Sequence, residues 1–144
     1  MKTVKQILRD KGSRVLSIQP DALAYDALKL MAEKNVGALL VLDKGRLVGI
    51  ISERDYARKV ILKGKSSPNT PVRDIMTERV MFVRPEQTVE ECMALMTEKH
   101  VRHLPVLAGD QVVGIVSIGD LVKASIDEKD FMIKQLENYI TGGR

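Results

Sequence analysis

The sequence predicts an α+β fold made of two β-α-β-β-α halves, and three observations carry that prediction. The chain matches itself at a constant offset of 65 positions. Within each copy, apolar residues switch between helical and strand spacing at the same points. A cluster of turn-forming residues separates the copies.

The self-match is the first of these. Ile18-Gln19-Pro20 aligns with Val83-Arg84-Pro85, and Leu30-Met31-Ala32-Glu33-Lys34 with Leu95-Met96-Thr97-Glu98-Lys99. Val48-Gly49-Ile50-Ile51-Ser52 aligns with Val113-Gly114-Ile115-Val116-Ser117, and Asp55 with Asp120, without a gap. A register held this long marks a repeat architecture.

Each copy opens on an extended segment ending in Pro20 or Pro85. A helix follows, because Leu23, Ala27, Leu30 and Met31 recur at helical spacing, as do Val89, Met93 and Met96. Thr88 and Glu91 form a capping box at the start of the second of these helices. Leu23 replaces Thr88 in the first copy, so a cap there must come from another residue, with Asp21 the candidate. Next come strands Ala38 to Leu42 and His103 to Leu107, short turns, and strands Leu47 to Ile51 and Val112 to Val116. These runs are nearly all apolar, which implies burial on both faces. A further helix ends each copy.

The organisation predicted is a first repeat over residues 1–63 including an N-terminal helix, and a linker over 64–71 rich in Gly, Ser and Pro. A second repeat covers 72–126, and a C-terminal helix and tail cover 127–144. Residues 120–140 read as one helix with Met132, Leu136, Tyr139 and Ile140 on a stripe, and 141–144 should fray.

Composition narrows the function classes. The 144 residues include 44% hydrophobic but only 3% aromatic side chains, so the core is aliphatic. The net charge of +4 comes from 23 basic and 19 acidic residues interleaved along the chain. That suits a small anion better than a nucleic acid, which calls for clustered Lys and Arg. One cysteine, Cys92, excludes an intrachain disulfide or a cysteine-based zinc site. With no signal-like segment and no run long enough to span a bilayer, the expected location is cytoplasmic.

The second copy, from Val83-Arg84-Pro85 through Arg102-His103-Leu104-Pro105-Val106 to Gly114-Ile115-Val116-Ser117-Ile118-Gly119-Asp120, resembles a CBS motif, named for cystathionine β-synthase. The first copy resembles it as well, ending in Gly49-Ile50-Ile51-Ser52-Glu53-Arg54-Asp55. A pair of such motifs is similar to a Bateman module. The resemblance implies two repeats related by a pseudo-twofold axis, with two clefts for adenosine-containing ligands such as AMP, ADP, ATP or an NAD-type dinucleotide. It also implies a homodimer and an output through a separate effector protein.

The block Gly-h-h-Ser-x-x-Asp (h, hydrophobic), present twice, supports two readings. A buried strand feeding a helix N-terminus presents free N–H groups to an anion, and Ser52 or Ser117 can donate to the same phosphate. Asp55 and Asp120, when ionised, accept from two ribose hydroxyls. Alternatively, Ser-x-x-Asp is a capping box that only starts a helix. Both can hold together.

Carried over position by position, the resemblance gives the first cleft Ile50, Ser52, Arg54 and Asp55, with Thr77, Met81, Val101, Arg102 and His103. Arg58 reinforces it from one turn beyond Arg54. The second cleft takes Ile115, Ser117 and Asp120 with Leu16, Val36, Gly37 and Ala38. Val36 and Val101 would offer backbone hydrogen bonds to adenine. Gly119, Gly37 and Ala38 stand where the first cleft has Arg54, Arg102 and His103, so the second is expected to be open and nearly neutral. The first then suits AMP or a more phosphorylated nucleotide, and the second a dinucleotide.

No catalytic set emerges. Neither serine has a neighbouring base, Cys92 falls on the buried face of its helix, and His100 with His103 is too few ligands for a metal. The competing class is a structural or interaction protein working through its helical surfaces, the C-terminal stripe above all.

Overall fold

The computed structural model describes residues 1–12, 14–65 and 67–140. Helix α1 (Val4–Lys11) is followed by strand β1 (Ser17–Ile18), α2 (Ala24–Lys34), β2 (Ala38–Asp43), β3 (Arg46–Ser52) and α3 (Glu53–Tyr56). A π-helical turn, Ala57–Ile61, and two 3₁₀ turns, Ser67–Asn69 and Val72–Asp74, lead to α4 (Val89–Lys99). Strands β4 (His103–Ala108) and β5 (Gln111–Ser117) then precede the long helix α5 (Ile118–Ile140). The α+β class read from the sequence is the observed one.

Two compact units form, and their boundaries differ from the predicted ones. Arg14–Met81 make one unit, whereas the N-terminal segment joins the residues from Phe82 onward in the other. The N-terminal helix therefore packs with the second repeat. The physical reason is a match at a second offset, 68 positions, that the 65-residue register hides: Val4, Ile7 and Leu8 correspond to Val72, Ile75 and Met76. Each of these leading segments docks in the same way. Val4 N–H donates to Gln87 O (2.9 Å) and Val89 N–H to Lys2 O (3.0 Å). In the other unit Val72 N–H donates to Ala22 O (2.7 Å) and Ala24 N–H to Thr70 O (2.7 Å). The predicted linker lies inside the Arg14–Met81 unit, and the predicted break at 126 falls within α5.

Each unit buries an aliphatic core. Val4, Ile7 and Leu8 pack with Val89, Cys92, Met96, Leu104, Val106, Val116 and Leu121. Ala24, Ala27, Met31, Leu39, Val41, Ile51 and Val60 pack with Val72 and Ile75. Strand β2 is buried over its first four residues, as an apolar run predicts. Strands β3 and β5 instead alternate and leave Val48, Ile50, Val113 and Ile115 half-buried.

Local chemistry sets the details. β2 and β3 pair antiparallel through a two-residue turn in which both Lys44 and Gly45 have positive φ (51° and 83°), the twist that suits a hairpin. β4 and β5 repeat the pairing, and the same irregularity occurs at Val41/Leu42 and Val106/Leu107. β1 runs parallel to β2, whereas its counterpart in the other unit shrinks to the single bridge Val83↔Val106. The Thr88–Glu91 capping box forms as predicted. Asp21 does not cap α2: the N-cap is Leu23, with no side-chain bond. Asn35 and His100 close α2 and α4 in the left-handed conformation, which gives His100 an exposed structural role.

Along α5 only Leu121 and Ala124 are buried. Met132 (56% exposed), Leu136 (61%), Tyr139 (85%) and Ile140 (81%) form an apolar stripe open to solvent. The expected fraying at 141–144 lies outside the described residues.

Candidate functional site

Both Gly-h-h-Ser-x-x-Asp blocks fold as the end of a strand turning into a helix. In the first, Asp55 N–H donates to Ser52 Oγ (3.1 Å), and the Asp55 carboxylate accepts from Ser52 N–H and Oγ (each 3.0 Å). In the second, Asp120 N–H donates to Ser117 Oγ (3.1 Å), and Asp120 Oδ2 accepts from Ser117 N–H (2.8 Å). The capping reading is thus realised twice. Glu53 N–H donates to Gly37 O (3.0 Å) and Ile118 N–H to Arg102 O (2.9 Å). The cradle of free amides predicted at each turn is therefore narrow, centred on the N–H of Arg54 and that of Gly119.

The blocks differ in how much of their polar chemistry is committed. Ser52 Oγ donates to Asp55 Oδ2, and Lys59 Nζ lies 3.3 Å from Asp55 Oδ1 while donating to Ile75 O at 3.1 Å. Both Asp55 oxygens are engaged. At the second block Lys11 Nζ donates to Asp120 Oδ2 (2.6 Å) and to Ile115 O (3.0 Å). The Lys11 and Ser117 N–H bonds to Asp120 converge on Oδ2. A Cβ built on Gly119 would meet only Ser117 Oγ, at 3.6 Å, so the approach to this turn is open.

Burial alone would raise the Asp120 carboxyl. The Lys11 hydrogen bond, the Ser117 amide, the Lys11 charge and the Ser117 hydroxyl outweigh it and hold that carboxyl below its ordinary value of 3.8. Lys11 sits beside a shallow groove of about 120 Å³ where Lys2, Lys11 and Lys123 face Asp10, Asp120 and Asp127. That is below the roughly 300 Å³ at which small-molecule pockets begin. A nucleoside would not fit inside it.

Of the predicted site residues, Ile50 and Thr77 come together through paired backbone bonds of 3.1 and 2.8 Å. Ala38 stands opposite Ser52 in the β2–β3 ladder, and His103 opposite Ser117 in the β4–β5 ladder. Leu16 O accepts from Leu40 N–H, fixing the start of the first sheet. Met81 is 37% exposed at the edge of its unit. Arg54, Arg58 and Arg102 are exposed, and the ion pairs among the described residues do not include them; Asp55 pairs with Lys59 instead. The calls that join Val101, Arg102 and His103 to the first block, and Leu16, Val36, Gly37 and Ala38 to the second, combine residues of different units. They stand as what the resemblance implies.

Further contacts bear on the expected site residues. The N–H groups of Val36 and Val101 close α2 and α4 on Met31 O (3.0 Å) and Met96 O (3.2 Å), so any backbone hydrogen bond to a base would use their carbonyls. Gly49 and Gly114 make room for protein: a Cβ on Gly49 would lie 2.6 Å from Met76 Sδ and 3.0 Å from Thr77 O, and one on Gly114 2.6 Å from Leu8 Cδ2. At the second block Lys11 brings an ammonium to the Asp120 carboxylate, a charge the sequence register did not place there. Lys11 and Lys59 escaped notice for different reasons. Lys59 was readable as an i,i+4 partner of Asp55. Lys11 needed the 68-residue match that docks the N-terminal segment on the second repeat.

A family model of the CBS domain matches residues 4–62 and 72–127. The chain belongs to the CBS domain family. This CBS pair is 43% identical over 150 aligned positions to CBS domain-containing protein CBSX3, mitochondrial, of Arabidopsis thaliana, covering 98% of the present chain and 73% of the relative. The solved structure of a protein with CBS domains from Burkholderia ambifaria is 53% identical, with a TM-score of 0.85 over 88% of this chain and 95% of that one. The CBS pair of protein MJ0100, solved with 5′-methylthioadenosine and S-adenosyl-L-methionine, is 25% identical. Its TM-score is 0.79 over 89% of this chain and 98% of that one. Among the described residues of this CBS pair, no cluster of His, Cys, Asp or Glu could hold a metal. Among the described residues no helix is long and apolar enough to cross a membrane. Cys92 is buried, and burial followed by the Glu91 charge pushes its thiol up to about 11, away from nucleophilic chemistry.

Proposed function

We propose that this CBS pair is a non-catalytic regulatory module that binds adenosine-containing ligands at its two Ser-x-x-Asp turns and signals to a separate effector protein. The observation that supports this most is the duplicated turn itself: a carboxylate one helical turn from a hydroxyl and an uncommitted amide. An ionised Asp accepts from ribose, while the Arg54 or Gly119 N–H and the helix end attract phosphate. The relative solved with two adenosine derivatives adds weight to that ligand class. AMP, ADP or ATP suits the first turn, where Arg54 and Arg58 are exposed and make no ion pair among the described residues. An NAD-type dinucleotide is the alternative ligand at the second. The module is assigned to the cytoplasm, as a homodimer.

Isothermal titration with AMP, ATP and NAD tests the proposal. Saturable binding of at least one is expected; no heat from any at millimolar ligand would overturn it. A second reading rests on the exposed stripe of α5, through which the chain would act as an interaction module without a ligand. It predicts that partner or self-association persists unchanged by nucleotide.

A further inference from the structure

The ammonium of Lys11 is built into the second turn. It is held by Asp120 Oδ2 at 2.6 Å and Ile115 O at 3.0 Å, and it reaches there from α1, whose Leu8 packs against Gly114. Two bonds use two of its three protons and leave a third outside them, on an ammonium tied to the Ser-x-x-Asp turn through Asp120. Asp120 keeps Oδ1 outside these bonds. The first turn contrasts with this, because Lys59 and Ser52 together engage both oxygens of Asp55.

We infer that Lys11 sets the ligand specificity of the second turn, selecting adenosine ligands that carry a phosphate over the neutral nucleoside. The inference rests on the nucleotide-binding reading above and deepens it. A phosphate near Gly119 N–H would otherwise face the bare Asp120 carboxylate, two anions in one turn. Lys11 cancels that repulsion and supplies a charge-assisted hydrogen bond. A neutral nucleoside gains nothing from the ammonium. Asp120 is held ionised by the same lysine, so the pair stays charged and in place at neutral pH.

The test is an NMR titration of the full chain with adenosine and with AMP, following the Gly119 amide for the second turn and the Arg54 amide for the first. In Lys11→Met the AMP-to-adenosine affinity ratio at Gly119 should fall about tenfold or more, the worth of one charged hydrogen bond. Lys11→Arg should keep the preference for AMP, and the ratio at Arg54 should not change in either variant. Spectra that match wild type elsewhere show that the variants fold. An unchanged ratio at Gly119, with both compounds still bound, overturns the role of Lys11 alone. If neither compound moves either amide in the wild-type chain, the nucleotide reading and this inference fall together.

Discussion

The two Ser-x-x-Asp turns share a backbone and differ in the source of one positive charge. Lys59 reaches Asp55 from the same helical segment, four residues on, whereas Lys11 reaches Asp120 from the far end of the chain. Ala124 occupies the position that Lys59 has in the first copy, and its small side chain lines the groove beside Lys11. The first turn is therefore self-contained, and the second is complete only when α1 is docked. A duplicated sequence can hold its geometry at both sites and still give them different chemistry, because the neighbours come from outside the duplicated block.

The largest test of that comparison removes the docking contacts. Ile75, fully buried, and Leu8, 8% exposed, each anchor one of the two leading segments. Ile75→Ala and Leu8→Ala should each cost about 2–5 kcal/mol by urea denaturation, the range for large-to-small changes in a core. Because α1 is a short helix held by its buried residues Val4, Ile7 and Leu8, Leu8→Ala should also speed amide exchange through α1 more than elsewhere. Equal exchange in α1 and α4 would show that the N-terminal helix is no looser than the rest of its unit.

Smaller, and sharper, is the exchange of each glycine for alanine. At Gly114 the added methyl meets only the flexible end of Leu8, while at Gly49 it also meets the Thr77 carbonyl at 3.0 Å. That carbonyl is fixed by its bond from Ile50 N–H. Overpacking costs about 1–3 kcal/mol, so Gly49→Ala should fall near the top of that range and Gly114→Ala near the bottom. Thermal melts that rank them the other way would mean that Leu8 is held more rigidly than the carbonyl.

These tests also mark what could be read from the residues. The alternation of elements, the Thr88 capping box and the buried face carrying Val89, Cys92 and Met96 follow from spacing alone, since local patterns encode them. The Ser52–Asp55 and Ser117–Asp120 bonds were legible for the same reason. The docking of α1 was not, because it depends on a contact between residues more than 80 positions apart, seen in Val4 with Gln87. Lys11 followed it out of sight. Likewise, free amides at Val36 and Val101 could not be judged from identity, because helix closure by Asn35 and His100 decides where those N–H groups point.

If both turns take ribose, Asp55→Ala and Asp120→Ala should each weaken binding of AMP by about 1–3 kcal/mol at their own site. The comparison predicts a secondary difference. Asp120 offers an oxygen outside its bonds to Lys11 and Ser117, whereas Asp55 must release Lys59 first. The loss should therefore be larger for Asp120→Ala than for Asp55→Ala, each at its own site. No change in AMP binding in either variant would reduce both carboxylates to helix caps.

The smallest effect is the one on pH. A carboxyl held below its ordinary value contributes stability above the unfolded-state value, and loses it as pH falls through the lower folded value. For Asp120 that window lies in the acid range, below 3.8. The side chains of Lys11 and Asp120 are 36% and 23% exposed, so the pair should be worth no more than about 1 kcal/mol. In Lys11→Met the folded Asp120 carboxyl loses the hydrogen bond and the charge that offset its burial, and its value rises. Urea midpoints measured from neutral pH down to about pH 3 should then fall less steeply in the variant than in the wild type, because the variant has less of this contribution left to lose. Parallel curves would place the ion pair in the unfolded ensemble as much as in the folded one, and the second turn would no longer depend on α1 for its charge.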